Sequence, residues 1–204
     1  MKYNPAIYHR RSIRLPGYDY SQAGAYYVTI VTQGRQCLFG EVVDGEMKKN
    51  AAGKIVQWEW ERVAQRFKFI ELGAFVVMPN HVHGIIIIHD TVGATRPGLT
   101  GALSNVQDLH TNISKDPDGS PLPARGPAPS SLGTIVGQFK SRVTKRLWKI
   151  STLAGTPIWQ RNYYEHIVRN DDDANRIYTY IQSNPSRWAD DEENPGTQGR
   201  PVLA

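Results

Sequence analysis

The chain has 204 residues, of which 40% are hydrophobic, and it carries a formal net charge of +5. This length favours one domain, and the single cysteine, Cys37, excludes a disulfide framework and a thiolate metal cluster. The sequence shows no secretory signal and no apolar run near the ~20 residues of a membrane span. We therefore expect a cytoplasmic protein.

Basic residues are concentrated in two parts of the chain, residues 1–20 and residues 131–169. Residues 131–169 contain seven of them against one acid, Glu165. The acids gather instead at residues 171–173 and 190–193. Clustered positive charge favours a polyanionic partner, most simply nucleic acid. A solvated basic helix face would give the same pattern.

Periodicity and turn residues predict the elements in chain order. Four β-rich or apolar stretches predict strands at residues 25–33, 39–47, 69–77 and 81–88. Within the second of them, Asp44-Gly45 predicts a turn. Helical spacing predicts helices at residues 51–67, 131–150 and 171–184. Pro79-Asn80 predicts a tight turn that joins the last two strands as a hairpin.

The region from about 90 to 130 differs in composition from the rest. It contains six prolines, several glycines and few large apolar side chains, which predicts a disordered or mobile insertion. The order of the other elements predicts an α+β fold, an antiparallel sheet with helices packed mainly on one face, ferredoxin-like in kind. We assign residues 1–188 to one domain and expect a loose tail over 189–204.

Two histidines, His81 and His83, stand at the start of the predicted strand 81–88. Side chains alternate along a strand, so both imidazoles point to one face and could converge on one divalent ion. Two ligands do not make a metal site. The pair could equally be hydrogen-bonded or solvated histidines at a strand end.

The helix NRIYTYIQSNP, residues 175–185, carries two candidate pairs of polar side chains. Tyr180 and Asn184 lie four residues apart and therefore share one helix face. Tyr178 and Gln182 offer the same two groups in a competing register. A tyrosine can act as a nucleophile and a carboxamide can bind a metal, but either tyrosine could also simply pack.

The combination of MPNHVHGIIII with YIQSNP resembles the single-tyrosine HUH transposases of insertion sequences, and most of all the REP-associated tyrosine transposases. RRSIRLPGYDYSQAGAYYVTIVTQ, GQFKSRVTKRLW and WQRNYYEHIVRN resemble them too. The resemblance implies the HUH endonuclease fold, with His81 and His83 as metal ligands and Tyr180 as nucleophile. It implies Asn184 as the third ligand, where insertion-sequence members have glutamine. The implied ion is Mg²⁺ or Mn²⁺.

The activity that the resemblance implies is metal-dependent cleavage and rejoining of single-stranded DNA next to a hairpin, through a 5′-phosphotyrosine. We expect the protein to be associated with the nucleoid when bound to DNA. The expected DNA-binding residues are basic: Arg10, Arg11, Arg14, Lys140, Arg142, Lys145, Arg146, Lys149 and Arg161. Two alternatives are a domesticated hairpin-DNA-binding protein without catalysis and a metal-dependent hydrolase that uses the histidines alone. Both monomer and homodimer are compatible with the sequence.

Overall fold

The computed structural model describes residues 18–90 and 130–197. Within these ranges the chain forms six strands: β1 (Gly24–Val31), β2 (Gly40–Val43), β3 (Glu46–Lys49), β4 (Ile70–Val77), β5 (His81–Ile88) and β6 (Tyr164–Val168). The α-helices are α1 (Ala51–Glu61), α2 (Val63–Arg66), α3 (Leu132–Leu147) and α4 (Asp171–Ser183). Short 3₁₀ turns at residues 185–190 and 195–197 follow α4.

Four strands form one antiparallel sheet in the order β4–β5–β1–β6. With α1 and α3 as the crossovers, this is the split βαβ arrangement of a ferredoxin-like fold. The predicted α+β class and antiparallel sheet are confirmed. β5 is a central strand, and its register with β1 sets Thr29 opposite His83 and Val31 opposite His81.

Two apolar layers cover the sheet. On one face, Tyr26, Val28 and Val82 belong to the main core cluster, together with α1 and α3. On the other face, a smaller cluster joins Tyr27 and Ile85 to the α4 residues Ile177 and Ile181. The helices therefore lie mainly on one face, as predicted, and α4 lies on the opposite face. Alternation along β5 points His81 and His83 toward the α4 side.

The predicted helices begin at residues that cap them. Ser131 accepts a hydrogen bond from the backbone N–H of Thr134, which caps α3. The apolar stripe predicted for α3 is buried, and it consists of Leu132, Ile135, Val136, Phe139, Val143 and Leu147. The predicted helix 51–67 instead divides into α1 and α2, because Arg62 leaves regular helical geometry between them.

Gly84 follows the histidine pair in β5 and allows a close approach from α1. A Cβ atom at this position would lie 2.3 Å from the Trp60 ring, well inside van der Waals contact. Trp60 stacks on Phe75 with ring centroids 4.4 Å apart. The glycine thus fixes how α1 packs against the strand that carries the histidines.

Three further elements differ from the sequence predictions. The predicted strand 39–47 is replaced by a separate hairpin of β2 and β3, and the predicted turn at Asp44-Gly45 is confirmed, since both residues adopt positive φ, at 52° and 75°. β6 was not predicted, since a five-residue edge strand reading YEHIV has almost no apolar alternation. Residues 189–197 of the expected loose tail are instead folded, because hydrogen bonds from Asn80 and Arg35 hold Glu193.

Several predictions lie outside the described residues. These are Arg10, Arg11 and Arg14, the insertion over residues 91–129, and the end of the tail at 198–204. In the described part of the chain, no helix is both long enough and apolar enough to cross a bilayer.

Candidate metal and tyrosine site

The histidine pair lies at the start of β5 and is buried. His81 is 0% and His83 3% exposed. Their Nε2 atoms are 2.9 Å apart, so the two rings meet at one point on the α4 side of the sheet. The convergence predicted from the strand period is what the structure shows.

The outer nitrogen of each imidazole is held by a neighbouring polar group. His81 Nδ1 lies 2.8 Å from the Asn80 Oδ1 atom. His83 Nδ1 lies 2.7 Å from the Tyr27 hydroxyl and 2.9 Å from the Thr29 hydroxyl, both on β1. Partners of this kind orient metal-binding histidines in proteins. They leave both Nε2 atoms directed at the shared point.

Burial keeps both imidazoles neutral at ordinary pH. Desolvation lowers the pKa of His81 to about 4, with Arg35 adding to the decrease and Asp191 opposing it. Desolvation and the neighbouring His81 hold the pKa of His83 well below 6.5. Neutral imidazoles have the lone pairs that a metal ion requires.

Tyr180 extends from α4 to the histidine pair. Its ring centroid lies 5.2 Å from that of His83 and 6.4 Å from that of Tyr27. Tyr178 is 54% exposed and does not line the cavity at the histidines. Of the two registers left open by the sequence, the structure brings the Tyr180 and Asn184 pair to the site.

Asn184 is buried beside a residue that the sequence analysis missed, Asp191. The Asn184 Nδ2 atom donates to Asp191 Oδ2 at 3.2 Å. The Asn184 Oδ1 atom is buried and makes no hydrogen bond. Asp191 Oδ2 also lies 4.0 Å from His81 Nε2. An acidic cluster at 190–193 was visible in the sequence, but nothing in its spacing linked it to the histidines.

These donors fit a divalent metal ion. Single ligand atoms of His81, His83 and Asp191 all lie within 4.8 Å of one another. The Asn184 Oδ1 atom lies in the same cavity and could be a further metal ligand. It is buried without a hydrogen-bond partner, which costs free energy, and a bound cation would offset this cost. A mixed set of imidazole nitrogens and side-chain oxygens suits Mn²⁺ or Mg²⁺.

A cavity of about 390 Å³ opens at this point. Its aromatic side is formed by Tyr27, Tyr164 and Tyr180. Acidic residues at 190–193 form the other side, together with Arg187. Burial and Asp191 raise the pKa of Tyr180, whereas the side chains of Asn184 and Arg187 act to lower it.

The basic residues predicted to bind DNA fall into two groups. Arg142, Lys145, Lys149 and Arg161 are exposed. Lys140 and Arg146 are already engaged by the protein. Lys140 Nζ donates to the backbone carbonyls of residues 160–162, and burial lowers its pKa to about 8. Arg146 pairs with the buried carboxylate of Glu59.

Helix α3, which carries most of these residues, packs on the sheet face opposite the histidines. This separation could not be predicted from the sequence, because the relative faces of α3 and α4 depend on the order of the strands. The basic helix α3 and the cavity at the histidines thus lie on opposite sides of the sheet.

Comparison with known proteins places the chain in a family. It is 38% identical over 191 residues to an uncharacterized protein of Haemophilus influenzae strain Rd, and the match covers 94% of this chain and 96% of that one. The chain belongs to the same family as that protein. No protein-family model matches the chain.

One solved structure identifies the fold that the chain adopts. A REP-associated tyrosine transposase bound to a REP hairpin superimposes with a TM-score of 0.54 at 16% identity, covering 87% of this chain and 74% of that one. A putative transposase from Deinococcus radiodurans R1 has a TM-score of 0.40 at 16% identity, covering 84% and 96%. The first of these two likenesses confirms the fold expected from the resemblance to HUH transposases.

Proposed function

We propose that the protein is a metal-dependent single-stranded DNA endonuclease and strand transferase that acts next to hairpin DNA. Its nucleophile is Tyr180, and its product is a 5′-phosphotyrosine. The observation that carries this proposal is the position of Tyr180. The centroid of its ring lies 5.2 Å from that of His83, a buried and neutral imidazole that is suited to bind a metal ion. The transposase fold supports the same chemistry.

The metal would be held by His81, His83 and Asp191, with Asn184 as the further oxygen donor. A bound Mg²⁺ or Mn²⁺ supplies charge that polarises a phosphodiester and stabilises the departing oxygen. The residues of the chain itself hold the donors in place: β5 fixes the imidazoles, and the segment after α4 brings the carboxylate to them.

Tyr180 performs the covalent step. Its hydroxyl oxygen forms a bond to phosphorus while the bond from phosphorus to the 3′-oxygen breaks. The phenolic proton is released, and the departing 3′-oxygen gains a proton. Attack by a different 3′-hydroxyl reverses these changes, frees Tyr180 and joins the strands, so no nucleotide cofactor is consumed.

The free protein keeps Tyr180 as a phenol, because burial and Asp191 raise its pKa. Asn184 and Arg187 are the side chains that favour the phenolate. Arg187 is exposed on the wall of the cavity, where it could also contact the incoming phosphate.

Hairpin DNA is the proposed partner, and the exposed basic residues of α3 are its proposed phosphate contacts. Arg142, Lys145 and Lys149 are exposed, so their charged groups are accessible to a phosphate. The REP hairpin bound to the structurally similar transposase supports this partner. Arg10, Arg11 and Arg14 remain predicted contacts to the hairpin.

The test is a denaturing gel of protein with 5′- or 3′-labelled hairpin DNA carrying single-stranded flanks, in Mn²⁺ or in EDTA. Wild type should give a metal-dependent protein–DNA adduct that retains only the label downstream of the cut. Tyr180→Phe should abolish cleavage and adduct but keep hairpin binding, and Tyr178→Phe is the matched control that should behave like wild type.

Two outcomes would replace this proposal. Cleavage that persists in Tyr180→Phe without an adduct would indicate a metal-dependent hydrolase. Binding without any cleavage across a broad hairpin library would favour a domesticated hairpin-binding protein. The four acids at 190–193, which disfavour a phosphate in the cavity, are the feature that fits this second outcome.

A further inference from the structure

We propose that Asn80 is a positioning residue that assembles the metal centre from two sides. Its carboxamide fixes which nitrogen of His81 carries the proton, and it holds the segment that brings Asp191 to the histidines. This inference rests on the metal site of the proposed function. It adds a role for a residue that touches neither metal nor DNA in that proposal.

Both polar atoms of the Asn80 side chain have partners. The residue is 0% exposed and lies in the turn directly before β5. Its Nδ2 atom donates to the backbone carbonyl of Arg35 at 3.0 Å and to that of Glu193 at 2.7 Å. Its Oδ1 atom lies 2.8 Å from His81 Nδ1.

These contacts determine the orientation of the amide. A backbone carbonyl only accepts, so the two carbonyls require the NH₂ end of the amide. The oxygen must then face His81. An amide oxygen cannot donate, so the His81 Nδ1 atom must carry the proton. In a neutral imidazole the other nitrogen, Nε2, then has a lone pair, and this is the atom directed at His83 and the metal site.

The same amide holds the acidic segment. The Glu193 carbonyl is bound to Asn80, while the Glu193 N–H donates to Asp191 Oδ1 at 2.7 Å. Arg35 completes the connection, because its Nε atom pairs with the Glu193 carboxylate at 2.7 Å. Asn80 is therefore linked through one residue to the carboxylate that faces His81.

The backbone of Asn80 is fixed independently of its side chain. Its carbonyl accepts from the Thr32 N–H at 2.8 Å, and the flanking Met78 N–H bonds to the His81 carbonyl at 2.8 Å. A substitution should remove the carboxamide without releasing the turn. Loss of such an outer partner typically costs 10- to 100-fold in metal affinity.

The first measurement uses metal-free wild type. Long-range ¹H–¹⁵N correlation spectra report which ring nitrogen of each histidine is protonated, and we expect His81 as the Nδ1–H form. A wild-type His81 protonated at Nε2 would overturn the proposal without any variant.

Two substitutions separate the two parts of the role. Asn80→Ala removes both, and we expect a mixture of His81 tautomers and a 10- to 100-fold loss of Mn²⁺ affinity by calorimetry. Asn80→Asp keeps an acceptor for His81 but cannot donate to the carbonyls. It should keep the Nδ1–H form and still bind Mn²⁺ more weakly, through displacement of Asp191.

Asn175→Ala, at an exposed position of α4, is the matched control and should change neither readout. If Asn80→Ala does not fold, the Asn80→Asp and wild-type spectra still decide the question. Unchanged tautomer and affinity in a folded Asn80→Ala would contradict the proposal. Neither readout uses DNA. If the protein binds Mn²⁺ as described but never cleaves DNA, the proposed function is wrong and the role of Asn80 still stands.

Discussion

The carboxylate of Asp191 lies 4.0 Å from the Nε2 atom of His81, and it reaches this position from beyond the tyrosine helix. The same carboxylate accepts a hydrogen bond from Asn184, the residue that the resemblance implies as a metal ligand. The site thus offers two oxygen donors where the sequence indicated one.

Asp191→Asn tests whether the carboxylate is a ligand. The substitution removes a charged oxygen donor and should weaken Mn²⁺ binding roughly tenfold or more, by analogy with the loss of metal-site partners. Isothermal titration calorimetry of the metal-free protein measures this. Asp190→Asn makes the same charge change on the neighbouring residue and should leave the affinity within a factor of about two. Equal effects of the two variants would mean that only the local charge matters.

The two buried histidines should make folding sensitive to mild acid. Their pKa values are below 6.5 in the folded protein, so below pH 6.5 the unfolded chain binds more protons and the free energy of unfolding falls. For His81 the loss continues down to about pH 4 and amounts to about 3 kcal/mol. Urea denaturation in EDTA at pH 7, 6 and 5 should show the decline.

The matched comparison for this prediction is His81→Gln against His89→Gln. The first variant removes one of the two buried titrating groups and should reduce the pH dependence, whereas the second changes an exposed histidine and serves as the control. The low pKa of Asp173, about 2 through its His166 hydrogen bond, causes a loss of stability only below about pH 4. A His81→Gln profile parallel to wild type would refute the assignment.

The sequence predicted those parts of the site that depend on local periodicity. Strand alternation brought His81 and His83 to one face, and helical spacing put Tyr180 and Asn184 together. Asp191 and Tyr27 could not be predicted, because they reach the histidines only through the packing of distant segments. β6 was missed for a related reason: an edge strand needs little apolar sequence when its partner, β1, is buried.

Gly84→Ala should destabilise the protein without altering the donors of the site. The added Cβ would meet the Trp60 ring at 2.3 Å, and overpacking of a filled core typically costs about 1–3 kcal/mol. Thermal or urea unfolding measures the loss. Gly137→Ala, with nothing near its added Cβ, is the control and should be neutral or slightly stabilising, since it lies within α3. Equal stability of both variants would show that Trp60 can move aside.

Substitutions of Lys140 and of Arg142 should change DNA binding in different ways. Lys140 Nζ is 2.6 Å from the Gln160 carbonyl and supports the loop before β6, whereas Arg142 is exposed. Arg142→Ala should weaken hairpin binding and reduce the slope of log affinity against log salt by about one. Lys140→Met should weaken binding by displacing the loop, with that slope unchanged.

Fluorescence anisotropy with a labelled hairpin, at several salt concentrations, distinguishes the two effects. Gln138→Ala, an exposed uncharged neighbour on α3, should leave both the affinity and the slope unchanged. A reduced slope for Lys140→Met would mean that this ammonium group exchanges its three carbonyls for a phosphate when DNA binds. A normal slope and affinity for Arg142→Ala would move the DNA surface away from this part of α3.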